Sequence, residues 1–135
     1  MSIKILLNID TRYDRELEAE NIACKLVRIF GTIKFKTETG LSKEYKAIID
    51  TGSPVSLIPK FIWQKTELEY LSDKEFSLGG ISPKDAPLIF AKIANIKFLF
   101  IDPKNISPLF VAKAYLLPTD HIPLIIGFED LLTTG

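Results

Sequence analysis

The residues with the clearest chemical potential lie in one segment, Ala47-Ile48-Ile49-Asp50-Thr51-Gly52-Ser53-Pro54-Val55-Ser56-Leu57-Ile58-Pro59. An apolar strand here delivers a carboxylate, Asp50, to a turn containing glycine. Gly52 allows backbone and substrate to approach where a Cβ would intrude. Thr51 and Ser53 place hydroxyls beside the carboxylate, able to orient it by hydrogen bonding. A carboxylate set up in this way suits general acid–base chemistry on a bound water. Asp-Thr-Gly-Ser is also good chemistry for an Asx-type turn after a strand, with no catalysis at all. By average residue usage a match to Asp-(Ser/Thr)-Gly-(Ser/Ala) arises by accident in about one chain of this length in a hundred.

Other chemistries have few residues to work with. Cys24 is the only cysteine and His121 the only histidine. An intrachain disulfide and a thiolate zinc cluster are therefore excluded. A Ser-His-Asp or Cys-His arrangement would depend on His121, which lies between Asp120 and Pro123 in a stretch that reads as a loop. Cys24 reads as a small buried side chain rather than a nucleophile. Neither a metal nor a cofactor is expected.

The elements that must position Asp50 are mostly strands. Ile33 and Phe35 alternate with Lys34 and Lys36, the period of a half-buried strand. Thr39-Gly40 supplies a turn, and Tyr45 to Ile49 returns as the strand ending at Asp50. Pro59 opens a short helix predicted over Lys60 to Leu68, with Trp63 packing it on the core. Short apolar runs follow, at Glu75–Leu78, Leu88–Ile93, Ile96–Ile101, Leu109–Leu117 and Leu124–Ile126, separated by Gly and Pro. They predict a compact, mostly β domain, barrel-like rather than layered α/β. Residues 11–21 are dense in charge and read as a surface loop or the first turns of a helix. The spacing over Ile22 to Phe30 fits either helix or strand.

At 135 residues the chain suits one domain. It is 47% hydrophobic and 25% charged, ordinary values for a globular protein. Seventeen basic residues balance seventeen acidic ones, so nothing in the charge asks for nucleic acid or an anionic membrane surface as partner. The apolar start, Met1 to Arg12, lacks the pattern of a secretory signal, and Pro87 to Ile101 is too short and too charged to span a bilayer. A cytoplasmic protein is expected.

The segment around Asp50 resembles the active-site motif of the retropepsin-like aspartic proteases: apolar residues, Asp-Thr-Gly-Ser, then Ser-x-Ile-Pro. Downstream, Ile125-Ile126-Gly127 and the following Phe128-Glu129-Asp130-Leu131-Leu132 resemble that family's hydrophobic-hydrophobic-Gly strand and short helix. Between them, Leu78-Gly79-Gly80-Ile81 falls where the family carries its glycine-rich flap. On their own, Gly79-Gly80 would read as a hairpin tip, Ile125-Ile126-Gly127 as a core strand, and Glu129-Asp130 as a solvated helix start.

The resemblance covers about residues 30–132. It implies a retropepsin-like closed β-barrel, one lobe per chain, with one or two short helices. It assigns catalysis to Asp50, Thr51 and Gly52, and substrate binding to Ser53, Gly79, Gly80 and Ile81. Ile125, Ile126 and Gly127 would run beside the active-site loop and hold it. Such enzymes need two motifs, and this chain carries one. Asp10-Thr11-Arg12 does not supply another, because Arg12 cannot replace the glycine. A homodimer is therefore expected, its two-fold axis bringing two Asp50 together, with a peptide or protein as substrate.

Two carboxylates at contact distance share one proton, since like charges there do not both ionise cheaply. The same resemblance admits a module that keeps the fold for dimerisation or peptide binding without cleaving. The family's usual terminal interface strand has no counterpart in the three residues after Leu132. Either the native protein continues past this point or the dimer uses another element, for which residues 1–25, an N-terminal extension, are a candidate; residues 26–135 are expected as the protease domain.

Overall fold

Alternating side chains become a barrel because each strand of a six-membered ring has a neighbour on both sides. The computed structural model describes residues 5–13, 25–50, 53–78 and 89–127. Strand β1 spans Asn8–Tyr13, β2 Lys25–Thr37, β3 Gly40–Leu41, β4 Tyr45–Asp50 and β5 Ser56–Ile58. Helix α1 (Lys60–Trp63) follows, then β6 (Leu68–Tyr70), β7 (Phe76–Leu78), β8 (Ile89–Ile101), β9 (Phe110–Leu116) and β10 (Ile125–Gly127). The chain is mostly strand. Six of the strands close a ring in the order β2, β4, β10, β5, β9, β8 and back to β2. Closure removes free sheet edges around the ring.

The ring is filled by the residues whose period marked them. Ile33 and Phe35 of β2, Ala47 and Ile49 of β4, Ile58 of β5, Ile96 and Phe98 of β8, Ala112 and Ala114 of β9 and Ile126 of β10 form the main cluster. Phe98 is flanked by Phe35 at 6.2 Å, Phe100 at 5.6 Å and Phe110 at 6.0 Å between ring centroids, separations typical of attractive aromatic pairs. At the β2–β3 turn Gly40 has φ +130°, a conformation that L side chains rarely adopt. This is the turn that Thr39-Gly40 predicted.

Two expectations are revised by pairing. The predicted helix over Lys60–Leu68 ends at Trp63, because Leu68–Tyr70 instead joins β8 as a strand. Asp120 accepts the Phe61 N–H at 2.8 Å near the helix start, and the Trp63 indole N–H donates to the Leu117 carbonyl at 2.7 Å. The two runs expected over Leu88–Ile93 and Ile96–Ile101 join, within the described residues, in the single strand Ile89–Ile101, because β9 pairs with it without interruption from Lys92 to Phe98.

At the N-terminal side, β1 pairs antiparallel with Lys25–Phe30 of β2, so residues 11–13 and 25–30 are strand. The Leu6 N–H reaches the Asp102 carboxylate at 2.8 Å, and the same carboxylate accepts the N–H groups of Lys104 (2.7 Å) and Asn105 (2.6 Å). These bonds, that from Leu6 foremost, hold the Asp102 carboxyl below its ordinary value. A depressed value stabilises the fold above the unfolded-state value and loses that contribution as pH falls through the folded one. Asp102→Ala is therefore expected to lower the urea midpoint at pH 7. The gap from wild type should narrow below about pH 4.

Candidate functional site

Strand β10 lies between β4 and β5, although β4 and β5 are consecutive in the chain. It runs parallel to β4, with Ile125 beside Ile48, Ile126 beside Ile49 and Gly127 beside Asp50. On its other side Ile125 pairs with Leu57 of β5. The chain leaving β4 at Asp50 must therefore cross the end of β10 to enter β5. It crosses at Gly127. A Cβ built there would lie 2.6 Å from the Ser53 carbonyl oxygen and 3.1 Å from backbone atoms of Val55. Only glycine lets the turn sit down on the strand.

The turn is tied from both ends. The Ser53 N–H points to the Asp50 carbonyl at 3.4 Å, and its hydroxyl donates to the Val55 carbonyl at 2.6 Å. Ser56, fully buried at the start of β5, accepts the Gly127 N–H on its hydroxyl at 3.0 Å. The Ile48 N–H donates to the Leu124 carbonyl at 2.9 Å, extending the β4–β10 contact by one residue. Asp50 itself is exposed at the head of this assembly.

In the sequence Ser56 stands out only as the serine of the Ser-x-Ile-Pro stretch after the turn, with no role of its own. A lone hydroxyl at the start of the apolar run Leu57-Ile58 was the available signal. Ser56→Ala would leave the Gly127 N–H buried without its acceptor, a loss of about 1–3 kcal/mol. Urea denaturation measures it.

The hairpin expected to form the flap has its stem in β7 and β8, closed by the pair Leu78 and Ile89. Leu78 anchors that stem in a second cluster with Ala91 and Leu117, against which Leu57 packs. The stem is thus rooted on β5, the strand that receives the turn from Asp50. Of the expected site residues, Asp50, Ser53, Ile125, Ile126 and Gly127 come together here. Thr51, Gly52, Gly79, Gly80 and Ile81 lie outside the described residues, as do Cys24, Glu129 and Asp130. His121 is exposed in the bend before β10. Among the described residues no helix is long and apolar enough to cross a membrane.

Compared with known proteins, the chain matches no protein-family model, no curated protein and no solved structure.

Proposed function

We propose that the protein is an aspartic endopeptidase of retropepsin-like architecture, active as a homodimer. The observation that carries the reading is the seat of the Asp50 turn on Gly127. A carboxylate at a strand end is common. One whose following turn demands a glycine on a strand threaded between its own two flanking strands is not needed for a simple reversal.

In the proposed mechanism, one Asp50 carboxylate takes a proton from a water held between the two copies as the water oxygen attacks the scissile carbonyl carbon. The protonated Asp50 of the other copy gives its proton to the carbonyl oxygen. Collapse of the resulting tetrahedral diol breaks the C–N bond, with a proton passed to the leaving amine. Thr51 would hydrogen-bond across the pair. Gly79, Gly80 and Ile81 would close over an extended peptide and pair with it as an added strand, while Ser53 lines the floor. The chemistry calls for neither metal nor cofactor.

Incubation of a peptide library with wild type and Asp50→Asn, at acidic and neutral pH, tests the reading. Wild type should cut, and the isosteric amide should lower the rate about a hundredfold or more. If both proteins leave the same peptides intact, the peptidase reading is lost and a non-cleaving module takes its place.

A further inference from the structure

Residues 89–91 of β8 extend beyond its ladder with β9, which ends at Lys92. The two faces of β8 have different surroundings there. Ile89 and Ala91 belong to the second cluster, with Leu78 and Leu117. Phe90 and Lys92 alternate with them and point to the other side of the sheet. Tyr70 of β6 joins them on that side, because its partner Ala94 shares their face. With Lys60 and Trp63 of α1 and with Glu75 they line a pocket of about 300 Å³.

Three of its walls are aromatic, and they are in place before any ligand arrives. The Trp63 indole is fixed by its N–H bond to the Leu117 carbonyl at 2.7 Å. Tyr70 and Phe90 stand on paired strands, yet they are 52% and 49% exposed. Large rings left open around a concavity mark a binding surface, whereas scattered single ones do not. Walls held in position also reduce the ordering cost of binding.

The charged groups of the lining are Lys60, Lys92 and Glu75, a net charge of one positive. The Lys92 ammonium lies 5.7 Å from the centroid of the Tyr70 ring. A ring face attracts a cation without neutralising it. Glu69, the acid beside Tyr70 on β6, is turned to the opposite face, where its carboxylate accepts from the Asn95 amide at 3.5 Å. The positive excess is therefore left to the pocket. Its volume is at the small end for ligand sites and suits one ring with a short arm, not a helix or loop of another protein.

We propose that this pocket binds a small aromatic carboxylate, its ring among Trp63, Tyr70 and Phe90 and its charge toward Lys60 and Lys92. The site is separate from the Asp50 turn. Phe90 leaves β8 on the face away from the cluster that includes Leu57. The proposal stands whether or not the chain cleaves peptides.

Hydrocinnamate, titrated into the full chain, is the probe. Trp63 is the only tryptophan, so indole fluorescence reports on this pocket. A saturable change is expected. Hydrocinnamamide, of the same shape without the charge, should bind about tenfold or more weakly, because hydrogen bonds between ionised partners are the stronger ones. Lys60→Glu and Lys92→Glu, both at exposed positions, should each weaken hydrocinnamate about tenfold or more and leave the amide within about twofold. Phe90→Ser should weaken both probes. Lys104→Glu, in the loop at the other end of β8, should bind as wild type does.

The absence of a saturable signal with either probe overturns the proposal. So do equal affinities for acid and amide, which reduce the pocket to an unselective apolar surface, and so do charge reversals at Lys60 and Lys92 that both leave hydrocinnamate binding unchanged. The comparison of acid with amide uses wild type alone, so it decides the matter even if a variant fails to fold.

Discussion

Pairing a wild-type chain with an Asp50→Asn chain is expected to yield a dead dimer, so that cleavage follows the square of the wild-type fraction. The reasoning is stoichiometric. Each site is proposed to need two ionisable carboxylates, one to accept the water proton and one to donate to the carbonyl oxygen. The amide accepts no proton from water at ordinary pH, so one defective chain disables both halves of a pair. When the variant makes up about nine-tenths of the chains, about one pair in a hundred is wholly wild type. Activity per wild-type chain should then fall about tenfold after the subunits have exchanged. A monomeric enzyme would show no such fall. Activity linear in the wild-type fraction, after exchange is verified by mixed-dimer labelling, would remove the shared site while leaving Asp50 open to some other role.

The parts of the fold legible in the sequence are those written in a period of two within one segment. Ile33 and Phe35 against Lys34 and Lys36, the turn at Thr39-Gly40 and the strand ending at Asp50 are all local. The structure departs where pairing overrules the local pattern. Leu68 suits a fourth helical contact after Phe61, Ile62 and Lys65, yet the free edge of β8 claims it as strand. Strand β8 reads as two runs because its buried side changes. Ala91 faces the cluster around Leu78, whereas Ala94, Ile96 and Phe98 point to the opposite side, into the ring or its wall. A strand that serves two cores loses its simple alternation.

The candidate site divides in the same way. Asp50 and the glycine of Ile125-Ile126-Gly127 carry recognisable neighbours, so their involvement is readable. Their apposition is not, because Gly127 meets Ser53, Val55 and Ser56 across more than half the chain. No local pattern states that β10 threads between β4 and β5. The inward series Ile5, Leu7 and Ile9 was open to the eye as alternation, but Leu6 beside them blurs it into one apolar run. Only the pairing of Ile9 with Ile29 separates the two faces.

Gly127 is where architecture and chemistry can be pulled apart. Gly127→Ala places a methyl 2.6 Å from the Ser53 carbonyl oxygen, closer than real Cβ contacts come, and 3.1 Å from Val55 backbone. Neither neighbour is the movable tip of a side chain. The turn itself has to lift, and with it the hydrogen bonds that fix its distance from Asp50. Overpacking of this kind costs about 1–3 kcal/mol and more where backbone must shift, read as a lower urea midpoint. Cleavage should fall by tenfold or more even under conditions where the variant is fully folded, since a small misplacement of reacting groups has that scale of effect.

Gly40→Ala supplies the comparison. Its φ of +130° makes the substitution strained although nothing lies within 4 Å of the new methyl, at a cost of about 1–3 kcal/mol. It sits on the far hairpin, so stability should drop while cleavage by the folded fraction stays at the wild-type rate. Equal activity of the two folded variants would mean that the seat on Gly127 supports the barrel alone, and the proposed site would lose the contact on which its geometry depends.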